Sequence, residues 1–169
     1  MERGIELNLK FFADRMLGRL AKKLRILGFD TLYFSDIPKN EIFRLCKKED
    51  RILLTRDKQI AKRAWKEKVA FFFLKSDKWY SQLKAVKDRF NISLEDCLLF
   101  SRCSECNGFL EHIDKEKIKN KIPEYVYLTN NEFLMCPKCG KVYWRGTHTE
   151  NIMNDLNKIL RGSNDESRT

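Results

Sequence analysis

The segment ILLTRDKQI, Ile52 to Ile60, holds the end of a strand, a turn and the opening of a helix. Ile52 to Thr55 are apolar or branched at every position, as in a strand covered on both faces. From Lys58, KQIAKRAWKEK continues at helical spacing. Between the two stands an acid, Asp57, flanked by Arg56 and Lys58.

The same rhythm recurs on either side. LNLKFFA, Leu7 to Ala13, reads as a first strand, and MLGRLAKKLRIL follows with Leu17, Leu20, Leu24 and Leu27 on one stripe and Gly28 as its C-cap. TLYF (Thr31 to Phe34) is a second strand and NEIFRLCKKE a second helix. RILLT (Arg51 to Thr55) is the third strand, VAFFFL (Val69 to Leu74) the fourth, and YSQLKAVKDRF a fourth helix. Four alternations with nearly continuous apolar strands predict an α/β fold over residues 1–100, a parallel sheet with helices on both faces.

Residues 101–150 break the rhythm. Two C-x-x-C pairs flank a stretch in which YVYL and VYW read as strand pieces, which predicts a small second unit. NIMNDLNKILRG then has helical spacing at Ile152, Leu156, Ile159 and Leu160, and SNDESRT is expected to be a disordered tail, so 151–169 reads as a short helix and tail. A length of 169 residues suits one modest core with an appendage.

Charge is unevenly spread. Residues 1–100 hold 23 basic and 14 acidic side chains, +9 of the chain's net +10, which favours an anionic partner such as nucleic acid. The N-terminus MERGIELNLKFF has no sustained apolar run behind its charges, and no stretch reaches the roughly 18 apolar residues of a spanning helix. A cytoplasmic protein with no membrane segment is expected, and in that compartment cysteines are thiols or metal ligands rather than disulfides.

Their spacing decides between these. Cys103 and Cys106 (CSEC) precede Asn107 and Gly108, and Cys136 and Cys139 (CPKC) precede Gly140. Two such hooks, each turning at glycine, present four thiolates to one structural zinc ion, with 29 residues between them as a loop or hairpin. His112 and His148 find no vacancy in a full four-thiolate site. Cys46 and Cys97 fall among apolar neighbours and read as buried thiols. Because residues 1–100 have their own core, loss of the zinc unit is expected to leave the α/β part folded.

Each strand of the α/β part delivers an acid at its carboxyl end: Asp14, Asp36, Asp57 and, more weakly, Asp77. In an open parallel sheet these ends share one edge, where ligands bind. Any one of them also stands where an N-cap belongs. Taken together they form a self-repelling cluster unless they hold hard cations, and Mg²⁺ or Mn²⁺ at Asp14, Asp36 and Asp57 would activate water for attack on phosphate. Arg15, Arg19, Lys22, Arg56 and Lys58 lie beside the same ends and suit a phosphate backbone. Glycine-rich nucleotide loops and Ser-His-Asp or Cys-His sets are missing.

The stretches FFADRMLGRLAKKLRILGFDTLYF, RILLTRDKQ, RCSECNG and CPKCGKVYWRGTH together resemble the Mut-seven C-terminal RNase family, from about Lys10 to His148. The resemblance implies a PIN-like nuclease domain followed by a zinc ribbon, RNA as the partner, and Asp14 and Asp57 as the most recognisable acids. It also implies a further acid before or in the first turn of the second helix, for which Asp36 and Glu41 are the candidates. Tyr143, Trp144, Arg145 and His148 match the family's tail; Arg145 and His148 suit RNA contact, while Tyr143 and Trp144 equally suit packing against the main domain. The leading expectation is thus a Mg- or Mn-dependent ribonuclease whose zinc ribbon assists RNA binding. Two alternatives stand beside it, a non-catalytic RNA-binding module and a regulatory α/β domain holding a single Mg²⁺.

Overall fold

The computed structural model describes residues 8–162, so the expected start of the first strand at Leu7 and the expected tail over 163–169 lie outside the described residues. Four parallel strands, β1 (Lys10–Ala13), β2 (Asp30–Tyr33), β3 (Ile52–Thr55) and β4 (Phe71–Phe73), form one sheet in the order β2-β1-β3-β4. The helices α1 (Gly18–Ile26), α2 (Lys39–Glu49), α3 (Lys58–Lys66) and α4 (Trp79–Phe90) follow them in turn. A 3₁₀ turn, Arg15–Leu17, separates β1 from α1.

Successive strand side chains point to opposite faces, and the cores divide accordingly. Phe11, Ala13 and Leu54 pack with α1 and α4, and with Leu156 and Leu160 of a C-terminal helix, α6 (Thr147–Arg161). Phe12 and Leu53 face the other way, onto Ile42, Phe43 and Cys46 of α2 and Ile60 and Ala64 of α3. The chain runs from β1 outward to β2, then crosses back to β3 on the other side of β1. Strand order therefore reverses between β1 and β3, the place where such sheets open a crevice at their carboxyl edge.

Residues 101–146 build a three-stranded antiparallel sheet from β5 (Glu111–Ile113), β6 (Phe133–Met135) and β7 (Val142–Trp144) over a small core of Ile118, Val126 and Phe133. YVYL is not a strand: Glu124–Thr129 is the short helix α5. Pro123 stands at the N-cap, its carbonyl accepting from Tyr127 N at 3.1 Å, and acidic Glu124 in the first turn suits the helix dipole, which together override the β preference of the Tyr and Val side chains. The C-terminal helix starts at Thr147, ahead of the stretch from Asn151 that the spacing suggests, and lies against α4.

The link between the two sheets is threaded closely. Leu98 N donates to Leu27 O and Phe100 N to Ile26 O, at 3.0 and 2.9 Å. Gly28, at φ 98°, ends α1 beneath this link, and a Cβ there would fall 2.5 Å from Leu98 O. No helix among the described residues is long and apolar enough to cross a membrane.

Candidate functional site

The carboxyl edge of the sheet brings Asp14 and Asp57 together at the reversal of strand order. Asp14, 2% exposed, follows β1 and is held by three donors. Its Oδ1 accepts from Met16 N at 2.9 Å, and its Oδ2 accepts from the Thr55 hydroxyl at 2.5 Å and from Arg56 N at 3.3 Å. Asp57 follows β3 and caps α3, its Oδ1 accepting from Gln59 N at 2.8 Å and Ile60 N at 3.3 Å. Thr55 Oγ1 also accepts from Asp57 N at 3.0 Å. One hydroxyl thus spans the two acids, and sequence reasoning passed over it as a strand residue; its signal was a hydroxyl placed two residues before the acid.

The other acids are placed differently. Asp36 is exposed beyond the end of the edge strand β2. Glu41 sits in the first turn of α2 and forms a bidentate pair with Arg44, 2.7 Å at its shortest, which holds its carboxyl below the ordinary value. Asp77 lines a cleft beside α4. Among the described residues the four cysteines are the group of three or more potential ligand atoms that lie within 4.8 Å of one another; no three carboxylates draw that close.

Of the cations, Arg15, Arg19 and Lys58 are exposed at this edge. Arg56 is half-buried, donates weakly to Lys75 O at 3.5 Å, and keeps a buried Nε without a hydrogen-bond partner. Lys22 is turned away from the acids, its Nζ 3.1 Å from Glu105 of the first cysteine hook.

Cys103, Cys106, Cys136 and Cys139 form the second centre. The Cys103–Cys139 and Cys106–Cys136 sulfurs are 3.6 and 3.4 Å apart. That is far beyond a disulfide of about 2.05 Å. It is close to the edge of about 3.8 Å that a tetrahedral ion with bonds of about 2.3 Å requires, so the four fit zinc. Burial disfavours the Cys103 thiolate, but the Tyr143 hydroxyl at 3.0 Å and the N–H groups of Cys106 and Glu105 outweigh it and bring the thiol down to about 7. Tyr143 is thereby tied to the cysteine centre, and Trp144 packs on the small core. Arg145 and His148 are exposed.

The two hooks turn differently from each other. In the second, Gly140 takes the left-handed conformation, φ 79°; in the first the matching residue is Asn107, φ 71°, and not Gly108. Asparagine tolerates that region and adds a side chain, which here reaches the sheet edge. Asn107 Oδ1 accepts from Thr31 N at 3.0 Å and its Nδ2 donates to Asp30 Oδ1 at 2.8 Å. Arg25, 4% exposed, donates to Thr31 O, Ser104 O and Glu105 O. Buried Arg51 pairs with Asp30 at 2.7 Å. Both backbone groups of Thr31 are therefore satisfied from the hook side, which covers the edge strand β2 at that residue.

A family comparison bears directly on this arrangement. The model of the Mut7-C RNAse domain matches residues 9–156, from β1 through both cysteine hooks into α6. The chain belongs to the Mut7-C RNAse domain family. Comparison with curated proteins and with solved structures found no match. The Mut7-C match takes in Asp14, Thr55, Asp57 and the four cysteines as one unit, and the family's description points to a nuclease-type function.

Proposed function

We propose that this chain is a Mg²⁺- or Mn²⁺-dependent ribonuclease that hydrolyses phosphodiester bonds of RNA, with a zinc-held ribbon assisting RNA binding. The observation that carries the reading is the pairing of Asp14 and Asp57 through Thr55 at the reversal of strand order in a Mut7-C chain. Asp14 and Asp57 would hold the divalent ion, with Asp36 or Glu41 as the further acid. Such an ion supplies an activated water and stabilises charge developing on the phosphate. Arg15, Arg19, Arg56 and Lys58 lie where they would neutralise backbone phosphates, and Arg145 and His148 would extend the contact over the ribbon. Four thiolates complete the coordination of zinc, so that metal serves structure rather than chemistry.

A second reading, a non-catalytic RNA-binding module, draws on the capping role of both acids and on the lack, among the described residues, of three carboxylates within ligating reach of one another. Asp57→Asn separates the two. Asparagine caps a helix as well as aspartate does but lacks the charge a hard cation needs. A ribonuclease loses Mn²⁺-dependent cleavage by orders of magnitude on this change, whereas cleavage at the parent rate leaves the binding module standing.

A further inference from the structure

We infer that the cleft between the 3₁₀ turn after β1 and the N-terminal end of α4 is a binding site for one unpaired base of a single-stranded RNA. The inference rests on the ribonuclease reading and adds the substrate class, a strand with at least one base free of pairing next to the cleavage site.

The cleft, about 510 Å³, is joined to Asp14 through Met16. Met16 in its wall donates its backbone N–H to Asp14, and Asp77 in its opposite wall follows β4 at the same sheet edge. Its volume lies within the roughly 300–1,000 Å³ of small-ligand sites. Two of its apolar side chains are open to solvent, Met16 at 54% and Tyr80 at 42%. Trp79 carries Lys23 Nζ 4.8 Å from its ring centroid and meets Tyr80 edge-on, centroids 6.0 Å apart at 81°. Tyr80 is thus braced, with Lys78 Nζ 6.0 Å from its ring centroid, and a base entering the cleft would share the ring with that ammonium. An exposed tyrosine and an exposed thioether in one cleft, with Arg19 and Lys78 in its lining, are what a flat aromatic base stacks on.

Polar groups complete the chemistry. Gln82, 3% exposed, lines the floor, its amide fixed by donation to Ser76 O at 2.9 Å, so a base edge would meet a preset amide plane. Arg19 and Lys78 at the rim match the phosphates on either side of that nucleotide. A base inside a double helix is stacked and paired and cannot enter such a cleft; an unpaired one can be splayed into it.

The test is binding of a single-stranded oligoribonucleotide to the full chain carrying Asp57→Asn, which keeps the strand intact. Tyr80→Ala is expected to weaken binding about tenfold, as for loss of one base–aromatic stack, while Tyr80→Phe retains the parent affinity. A series of strands with one abasic position each should contain a position that loses about as much against the parent and almost nothing further against Tyr80→Ala. Met16→Ala is the second variant and should lose severalfold with an unchanged melting temperature. Parent-like binding by both Tyr80→Ala and Met16→Ala, equal binding of the matching duplex, or no binding of single strands at all overturns the cleft. Undiminished cleavage and affinity in Tyr80→Ala overturns it while the ribonuclease stands. Tyr80-dependent binding in a protein that never cleaves RNA upholds it and ends the ribonuclease reading instead.

Discussion

Thr55 Oγ1 lies 2.5 Å from Asp14 Oδ2 and 3.0 Å from Asp57 N, so a single hydroxyl at the end of β3 sets the spacing of the two acids. Thr55→Val keeps the shape and removes the bridge. A hydrogen bond to a charged group contributes about 1.5–3 kcal/mol. The expected result is a melting temperature lower by several degrees and RNA cleavage down at least tenfold, with Thr55→Ser restoring both. Cleavage unaffected by valine would show that the spacing of the acids does not matter to the reaction.

Asp14 and Asp57 should differ in what they do for stability, although both are placed to hold the same ion. Asp14 meets only donors: Met16 N, Arg56 N and the Thr55 hydroxyl. An asparagine there sets an NH₂ group against at least one backbone N–H in a buried place, costing about 1–3 kcal/mol. Both capping bonds of Asp57 use one oxygen, which asparagine retains. Thermal melts of the two variants side by side check the difference: Asp14→Asn melts several degrees lower and Asp57→Asn within a degree or two of the parent. Coincident melts would contradict the assigned partners.

Much of this was legible in the sequence because it rests on local rules. Four strand–helix alternations, the acids after β1 and β3, and two C-x-x-C pairs each follow from spacing within a dozen residues, and all are present. What escaped is what only the fold brings together. Thr55 reads as one more β-branched strand residue until Asp14 arrives beside it from 41 positions away. Asn107 reads as a turn residue, and its grip on Thr31 N crosses 76 positions. YVYL reads as a strand because its side chains favour one, while the backbone follows the cap at Pro123 into a helix.

The ribbon is expected to support the sheet rather than hang from it. Asn107→Ala leaves Thr31 N without its acceptor and removes a partner of Asp30, at a cost of about 1–3 kcal/mol. The variant should still carry one zinc, because no ligand is touched, yet should melt several degrees lower across the whole chain. Zinc removal by a chelator should act on the α/β part in the same direction, since Ser104 O and Glu105 O reach Arg25 only from a folded hook. Calorimetry showing an α/β transition indifferent to zinc and to Asn107 would instead restore the independence that two separate cores suggest.

Acid should loosen the same contact. Burial alone would raise the Asp30 carboxyl, but hydrogen bonds from Arg51 and Asn107, with the charges of Arg51 and Arg102, outweigh it and hold the group below its ordinary 3.8. A carboxyl lowered by folding contributes its full stability above the unfolded value and loses it as pH falls through the folded one. Stability should therefore drop as pH falls below about 4, and Asp30→Asn should start lower at neutral pH but lose less on acidification. Parallel acid profiles for the two proteins would remove Asp30 from the account.

Arg19 and Lys22 stand three residues apart at the start of α1, and sequence alone gives both to the phosphate backbone. The fold separates them. Arg19 lines the cleft beside Asp77 and Lys78, whereas Lys22 places its ammonium 3.1 Å from the Glu105 carboxylate, an oxygen that Lys141 shares at the same distance. A cation spent on a carboxylate releases few counterions when RNA arrives. Single-stranded binding loses about 0.7 in the slope of log affinity against log salt for each phosphate contact removed. Arg19→Ala should therefore flatten the slope by roughly that much. Lys22→Ala should leave the slope nearly unchanged. Titrations at several salt concentrations, with zinc content held at one per chain, read the two values directly; equal losses in both variants would return Lys22 to the RNA surface and detach it from the hook.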